Sequence, residues 1–532
     1  MLVRLNAAAL RGVDAVRVTV EVRVDRGIHF LMVGLPDSAV RESQQRIKSA
    51  IEHLGYRWPG QGITINLAPA GLRKEGAAYD LPLALGILAA SGQIESAGLS
   101  ELLTMGELAL DGTLRPVRGA LALAQVALSP GLHSVVLPCE SAQDAAMLQK
   151  VNVLAAAHLG EVLDHLNGTQ PLPRLACDLA HLIDSHAAAS LAPLAGIHGQ
   201  TRAIEAMALA AAGGHNVCMI GPPGAGKTML ARAMIGLLPP LDVREALEVN
   251  RIHSVAHIGP RQAHFERPFR SPHHTISDVA LVGGGSDPRP GEISLAHAGV
   301  LFLDELPEMP RHVLEVLRQP LESREITVSR ARATVVFPAD FQLIAAMNPC
   351  PCGRFTSDPK RRQQCSCSRH ARQRYLEKVS GPLLDRIDIH LNIAPVDPTL
   401  LLPKPGAAGR LAKEEKMKAA RALRNQVLKA RAIQRQRNPN GETNHRLSGD
   451  ALHDIATLCS DGRALLTAAA QQLEFSARAH QRILRMARTS ADLNSRSQIA
   501  LPDLVEAIAF RRAGAERTGP TPTGHSLFES SL

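Results

Sequence analysis

The order of apolar and polar residues in the first third of the chain predicts a mixed α/β domain over residues 1–167. β-branched residues alternate with polar ones from Val16 to Val24, which predicts a strand, and the apolar spacing from Ser38 to Leu54 predicts a helix. A second, almost wholly apolar helix is predicted from Ala77 to Ala90.

The rest of the pattern predicts two further folded regions. Strands, glycine-rich turns and helices alternate over residues 195–395, which is typical of a parallel sheet with helices on both faces. Residues 396–515 have a mainly helical pattern. Proline and loosely spaced polar residues predict a linker over 168–194, and 516–532 are expected to form a flexible tail. The predicted fold class is α/β with a C-terminal helical region.

Composition narrows the class of protein. Hydrophobic residues make up 45% of the 532 residues, which excludes a wholly disordered chain. No apolar run approaches the roughly 18 residues of a membrane-spanning helix. The N-terminus also lacks the apolar stretch of a secretory signal. We therefore expect no membrane partner, a cytoplasmic location and reduced cysteines.

Positive charge is concentrated beyond the first domain. The formal net charge is +9; the first 165 residues hold 14 basic and 16 acidic side chains, and the rest hold 45 and 34. Residues 410–437 contain ten Lys or Arg and two Glu, which suits either a solvated helix face or a contact with phosphates. Because only 3% of residues are aromatic, binding of a polyanion is expected to depend on Lys and Arg.

The strongest chemical signal is the sequence GPPGAGKT, a complete P-loop between an apolar strand (Asn216 to Ile220) and a helix (Met229 to Leu238). Lys227 is expected to reach the β- and γ-phosphates of ATP, and the Thr228 hydroxyl to ligate Mg²⁺. The residues predicted to cradle the nucleotide are Gly221, Pro222, Pro223, Gly224, Ala225, Gly226, Lys227 and Thr228.

Two later strands end in polar residues. The run Val300 to Leu303 is followed by Asp304, which suits the Mg²⁺ shell, and by Glu305, which can polarise a water for attack on the γ-phosphate. The strand from Phe341 to Met347 ends in Asn348. This amide either orients the attacking water or simply forms a turn before the next proline.

Four long stretches carry a family resemblance: RPFRSPHHT, PRPGEISLAHAGVLFLDE, NPCPCG and SGPLLDRIDIH. They resemble the magnesium-chelatase-like branch of the AAA+ ATPases, and more narrowly the ComM/YifB family, over nearly the whole chain. The resemblance implies an AAA+ core with a C-terminal helical lid, and assembly into a homo-hexamer. It also implies that Asn348 is the sensor 1 residue, that Arg386 is an arginine finger acting on the neighbouring subunit, and that Arg478 is the sensor 2 residue of the lid.

The run ITVSRARATVVF predicts a hairpin with Arg330 and Arg332 at its tip. The matching hairpin of this branch points into the pore of the ring, where a ring of arginines could follow a phosphate backbone. A solvated hairpin tip is the alternative.

A group of cysteines and a pair of histidines complete the candidate chemistry. Cys350, Cys352, Cys365 and Cys367 could bind one structural Zn²⁺, with His370 as a further ligand. Each pair is separated by only one residue, however, so free reduced cysteines are an equal alternative. His273 and His274 are assigned no role, because a histidine pair beside a proline is more often part of a turn.

The N-terminal domain resembles that of Lon proteases. Ala78 falls where the family has its nucleophilic Ser, and Leu121 falls near the place of the partner Lys; Lys74 has no evident Ser partner. Because Ala and Leu provide neither hydroxyl nor amine, we predict no peptidase activity.

The resemblance implies a ring ATPase that acts on single-stranded or branched DNA, as a helicase or branch-migration factor of natural transformation. The alternative is a protein-remodelling ATPase like the magnesium-chelatase subunit, although that subunit lacks a Lon-like front domain. An ATP-dependent protease is disfavoured by the missing Ser and Lys.

Overall fold

The computed structural model describes residues 1–187, 191–256, 263–285, 288–330, 333–355, 365–396, 406–472 and 476–515. Within them, two main sheets and a helical C-terminal region follow one another along the chain. The predicted α/β class with a parallel core sheet is therefore confirmed. No helix among the described residues combines the length and the apolar character needed to cross a bilayer.

The first region is built on an eight-stranded sheet of order β10-β9-β8-β5-β1-β2-β4-β3. Strands β1 to β10 are Leu2–Arg11, Asp14–Asp25, Phe30–Val33, Gly62–Ala68, Leu102–Thr104, Glu107–Leu108, Leu114–Arg115, Ser134–Pro138, Asn152–Ala156 and Arg174–Leu175. Helices α1 to α6 are Ser38–His53, Asp80–Ala90, Ala120–Gln125, Cys139–Ala145, Leu159–Leu166 and Leu179–Ala187. The strand and the first helix expected from the sequence are β2 and α1, and the apolar second helix is α2, preceded by a 3₁₀ turn at Ala77–Tyr79.

The second region contains a five-stranded sheet of order β12-β15-β18-β11-β19, in which every neighbouring pair is parallel. Strands β11 to β19 are Val217–Ile220, Phe269–Arg270, Gly283–Gly284, Arg289–Pro290, Val300–Leu303, Glu325–Arg330, Ala333–Pro338, Gln342–Met347 and Ile389–Asn392. Helices α7 to α16 are Ala192–Ala195, Thr201–Gly213, Lys227–Leu237, Val243–Ala256, Asp278–Val282, Glu292–Leu295, Arg311–Glu315, Arg318–Ser323, Arg369–Glu377 and Gly381–Leu384. The central strands β11, β15 and β18 are buried at every residue, as expected for a sheet covered on both faces.

The C-terminal region is helical, as predicted. Helices α17 to α21 are Gly406–Arg437, Gly449–Ile455, Ser460–Gln472, Ala477–Leu493 and Leu501–Ala515. Val427, Ile483 and Leu504 of three of these helices are buried in the same apolar core as Val217 of the parallel sheet. The helical region and the sheet therefore share one core.

The segment 168–194, predicted to be a linker, contains regular structure. It includes strand β10 and helix α6, and it buries Leu179 and Ile183 in the apolar core of the first region. Pro171 and Pro173, which favoured a linker, lie just before β10, whereas Leu179, Leu182 and Ile183 have the i, i+3, i+4 spacing of a helix.

The first region also packs directly on the second. Leu241, Ala246 and Val249, in and just before α10, are buried in the core of the first region. The turn after β1 lies so close to strand β17 that a Cβ on Gly12 would lie within van der Waals overlap of the Val335 side chain. Gly12 also has a positive φ of 67°, so this turn requires glycine on both counts.

One fully buried carboxylate joins the parallel sheet to the helical region. Asp388, directly before β19, pairs with His215 Nδ1 at 3.3 Å, with His445 Nδ1 at 2.8 Å and with Arg482 Nε at 3.2 Å. The His445 imidazole and the other neighbours hold the pKa of Asp388 well below its usual range against the opposing effect of burial, so this carboxylate is ionised. Thr489 bonds to the other ring nitrogen of His215.

Loss of this charge is expected to weaken the contact between sheet and helices. Asp388→Asn leaves the largely buried Arg482 guanidinium without its counter-charge, so the free energy of unfolding should fall by about 3 kcal/mol. Asp385→Asn is the matched control, because Asp385 lies in the same loop but its side chain is 48% exposed and pairs with Arg511; it should cost at most about 1 kcal/mol. Urea unfolding followed by circular dichroism measures both, and equal losses would contradict the assignment.

Candidate nucleotide-binding site

The carboxyl ends of β11, β15 and β18 meet at one edge of the parallel sheet, and the predicted site residues follow these three strands. β18 pairs with β11 on one side and with β15 on the other. The P-loop therefore leaves the sheet between strands that end in Asn348 and in Asn392, with Asp304 one strand further away. Ligand sites of parallel α/β sheets are found at this edge.

The P-loop backbone has the form expected of a phosphate cradle. Gly224 and Gly226 have φ values of 76° and 86°, a conformation that favours glycine, and a Cβ at either residue would meet no atom within 4 Å. Helix α9 starts at Lys227, so its first backbone N–H groups point into the loop. The residues present thus fit a nucleotide's phosphates.

Lys227 connects the P-loop to the end of β18. Its Nζ donates to Gly221 O at 2.7 Å, to Pro222 O at 3.0 Å and to Asn348 Oδ1 at 3.0 Å. Burial lowers the pKa of Lys227, while Asp304 and Glu305 act in the opposite direction. The side-chain amide of Asn348 therefore lies close enough to Lys227 to contact a phosphate bound by the lysine.

The two acidic residues after β15 have different partners. The Thr228 hydroxyl donates to Asp304 Oδ2 at 3.1 Å, so the two oxygens predicted to hold Mg²⁺ are adjacent. Hard oxygen donors of this kind suit Mg²⁺. Glu305 has a φ of 50°, which is uncommon for a residue with a side chain and is typical of functional positions.

His274 is a site residue that the sequence analysis missed. Its Nδ1 lies 3.1 Å from Glu305 Oε2, and its ring lies against His273 at a centroid distance of 4.1 Å. His273 instead contacts the Thr275 hydroxyl at 2.9 Å. The adjacent histidines therefore have different partners. The contact of His274 with Glu305 is created by the tertiary fold.

Arg386 lies at the opposite edge of the sheet from the P-loop. It precedes β19, and its backbone oxygen accepts a bond from Asn216, which precedes β11. Its guanidinium pairs with Glu322 Oε1 at 2.6 Å and donates to Pro382 O at 2.8 Å. Since β11 separates the two edges, the structure does not bring Arg386 to the P-loop of its own chain.

The two arginines at the start of α20 also diverge. Arg478 is exposed in the first helical turn. Arg482, one turn later, pairs with the buried Asp388. The structure therefore gives Arg482 a role in attaching the helical region, whereas a role for Arg478 at the nucleotide stays a prediction.

The four clustered cysteines come together although the first and the last are seventeen residues apart in sequence. One sulfur from each of Cys350, Cys352, Cys365 and Cys367 lies within 4.8 Å of the others. His370 is exposed and is not in that group. The backbone N–H of Arg354 lowers the pKa of Cys352, and burial raises the pKa of Cys350.

The predicted hairpin exists as β16 and β17, which pair from Glu325–Pro338 to Arg330–Ala333. Arg330 is the last residue of β16, and Arg332 lies outside the described residues. Ile326, Val328 and Phe337 bury one face of the hairpin in the core. The strands of the hairpin are thus anchored in the core by this face.

The basic helix α17 has both attached and exposed basic side chains, and its exposed ones suit either a solvated face or a contact with phosphates. Arg431 donates to Ala211 O, and Arg437 pairs with Asp492 at 2.6 Å, so these two attach the helix to its neighbours. Five other basic side chains are exposed: Lys413, Lys418, Arg421, Lys429 and Arg435.

In the N-terminal region, Ala78 is partly buried and Leu121 is fully buried in the apolar core. Lys74 is fully buried too, and its Nζ donates to Gly34 O at 3.0 Å, Leu67 O at 2.7 Å and Pro69 O. The lysine therefore joins the residue after β3 to the end of β4. The absence of peptidase activity stays a prediction.

Comparisons with known proteins match three parts of the chain to one family. Residues 193–401 match the magnesium chelatase subunit ChlI, residues 417–511 its C-terminal part, and residues 20–141 a further ChlI segment.

Individual relatives extend the match to nearly the full length. YifB of Salmonella typhimurium is 42% identical over 510 residues, covering 95% of this chain and 96% of YifB. The competence protein ComM of Haemophilus influenzae is 41% identical, covering 94% and 96%. The 38 kDa magnesium-chelatase subunit of Cereibacter sphaeroides is 29% identical but covers 30% of this chain and 52% of that subunit.

The contact between His274 and Glu305 yields a test. His274→Ala should lower the turnover of ATP about 10-fold with little change in KM, because the carboxylate loses the group that orients it. His273→Ala is the matched control and should retain turnover. Steady-state hydrolysis assays measure both, and equal effects of the two substitutions would refute a specific role for His274.

Proposed function

The chain belongs to the ComM/YifB family of magnesium-chelatase-like AAA+ proteins, and from this premise we propose that it is an ATP-hydrolysing ring motor that acts on DNA. Its proposed task is helicase or branch-migration activity in the recombination of natural transformation. The cluster of Lys227, Asn348, Thr228, Asp304 and Glu305 at one sheet edge carries the proposal of hydrolysis.

Each member of the cluster has a proposed part. The P-loop and Lys227 bind the phosphates, and Thr228 and Asp304 hold Mg²⁺, which when bound neutralises phosphate charge. Glu305 accepts a proton from the attacking water, and Asn348 orients that water. His274 keeps the glutamate in position.

Arg386 supports a ring. Because it lies at the far edge of the sheet, we assign it to the nucleotide site of a neighbouring subunit, where it stabilises charge on the γ-phosphate. It must leave Glu322 to do so. Head-to-tail contacts of this kind close into rings, and the family resemblance sets the proposed number at six.

Action on DNA is supported by three features. The nearly full-length similarity is to ComM and YifB, whereas the chelatase subunit of Cereibacter covers under a third of the chain. The exposed basic side chains of α17 can contact phosphates, and the hairpin sequence contains Arg330, the last residue of β16, and Arg332. The family matches keep remodelling of a partner protein as the alternative.

The DNA hypothesis predicts that forked or single-stranded DNA stimulates ATP hydrolysis and that forked DNA is unwound. Lys227→Ala should lower hydrolysis about 100-fold, since it removes the phosphate cation. Rates with forked DNA, duplex DNA and no DNA measure the stimulation, and a strand-displacement assay measures unwinding. If no DNA stimulates hydrolysis and no DNA is remodelled, a DNA motor is excluded and the chelatase-like alternative is favoured.

The hairpin can be tested in the same assay. Replacing Arg330 and Arg332 with Ala should reduce the ratio of rates with and without DNA. The matched control replaces Arg23 and Arg115, which are 63% and 62% exposed in the first region. If both double variants lower the ratio equally, the effect is one of net charge.

A shared active site predicts complementation between defective subunits. Glu305→Ala and Arg386→Ala proteins should each be nearly inactive, but mixing them should restore part of the hydrolysis because some interfaces then contain both intact residues. Mixing Glu305→Ala with Lys227→Ala is the control, since both defects lie in the same half-site. Restoration no greater than in the control would place Arg386 outside the neighbour's site.

A further inference from the structure

We propose that Cys350, Cys352, Cys365 and Cys367 bind one structural Zn²⁺, which fastens the chain beyond β18 to helix α15 beside the P-loop. The inference concerns a site that hydrolysis does not require for its chemistry. It stands whether or not the chain acts on DNA.

The spacing of the sulfurs supports a tetrahedral metal. Cys350 and Cys352 Sγ are 3.4 Å apart, Cys350 and Cys365 Sγ are 3.8 Å apart, and Cys352 and Cys365 Sγ are 3.6 Å apart. Four sulfurs around Zn²⁺ at about 2.3 Å would lie about 3.8 Å from one another. Three sulfur–sulfur distances are therefore close to the edges of the required tetrahedron, and Cys367 Sγ lies within 4.8 Å of the other three sulfurs, despite the single residue within each pair.

The same distances disfavour a disulfide. A disulfide requires two sulfurs about 2.05 Å apart and leaves the remaining pair separate. Here Cys352 lies at nearly the same distance from Cys350 and from Cys365, and each of the four cysteines is free. Convergence of four thiols on one point is the arrangement of a metal centre.

Backbone groups around the sulfurs suit thiolates. The N–H of Arg354 points at Cys352 Sγ, and the N–H of Cys352 points at Cys367 Sγ. Gly353, between these two segments, has a φ of 75°, so the chain reverses tightly at the second ligand. Four soft sulfur donors with hydrogen bonds to them favour Zn²⁺ over the hard cations Mg²⁺ and Ca²⁺.

The cluster adjoins the nucleotide site. Asn348 lies two residues before Cys350, and burial raises the pKa of Tyr375 in α15 while the nearby backbone N–H of Asn348 acts in the opposite direction. A Cβ on Gly353 would lie 2.6 Å from Pro223 Cδ, so this turn packs directly on the P-loop.

The other half of the cluster is tied to α15. Arg372 donates to Cys367 O at 2.8 Å, and its guanidinium lies 4.3 Å from the Phe355 ring. The Ser368 hydroxyl caps the start of the helix. A metal held by all four sulfurs therefore joins the turn at Asn348 to the helix at Tyr375 and holds both against the P-loop.

The first experiment measures metal in the full-length protein, purified under reducing conditions without a chelator. Elemental analysis should find about one zinc per chain, and a thiol-specific mercurial should release it as four thiols react. Replacement by Co²⁺ should produce the visible absorption of tetrahedral cobalt thiolate. A protein that contains no zinc and takes up neither Zn²⁺ nor Co²⁺, or that contains iron instead, overturns the proposal.

Variants assign the ligands. Cys352→Ser and Cys365→Ser should each lose most of the zinc, whereas Cys139→Ser and Cys459→Ser, at exposed cysteines outside the cluster, should retain it. Cys367→His should retain zinc with a shifted cobalt spectrum, because Cys₃His also binds zinc. Zinc retained in both serine variants overturns the assignment of the ligands. If those variants fail to fold, the zinc content and cobalt spectrum of the wild-type protein test the proposal instead.

A separate readout tests the link to the P-loop. Extraction of zinc should weaken binding of a fluorescent ATP analogue about 10-fold, and added Zn²⁺ should restore it. An unchanged Kd after complete extraction would refute the structural link. Because binding is measured without hydrolysis or DNA, this result is independent of the proposed motor activity.

Discussion

The shared direction of five strands is the constraint on which the rest of the chemistry depends. Because neighbouring strands are parallel, the residues that follow them gather at one edge of the sheet, and the residues that precede them gather at the other. Lys227, Asp304 and Asn348 are therefore brought together although they lie far apart in sequence. The same constraint removes Arg386 from this edge, so the direction of the sheet alone separates the two halves of the proposed catalytic arrangement.

The far edge of the sheet has a structural part of its own. Asp388 is buried there with His215, His445 and Arg482, and each of these comes from a different part of the chain. A buried charge of this kind contributes little net stability, but removing one partner leaves the others uncompensated. The network therefore favours one relative placement of sheet and helices, and it lies only two residues from Arg386.

The parts of the fold and site that depend on local pattern could be predicted from sequence. The P-loop, the buried strand before Asp304 and the strand before Asn348 each carry their signal within ten residues, and β15 has the predicted bounds. The contact of His274 with Glu305 could not be predicted, because thirty residues separate them and a histidine pair has no characteristic period. The partners of Asp388 are likewise set by tertiary packing. The linker predicted over 168–194 rested on its prolines and loosely spaced polar residues, although Leu179, Leu182 and Ile183 have helical spacing and Leu179 and Ile183 are buried.

The close packing of Gly12 on Val335 bears on whether the two regions can be separated. Leu241, Ala246 and Val249 are covered by the first region, and Val13 is buried with Val335 in the core beneath the hairpin. Cutting the chain ahead of residue 195 would uncover a continuous apolar surface, of the kind that makes an isolated fragment aggregate. Whatever activity the first region has, it therefore also covers apolar residues of the second region that would otherwise face solvent.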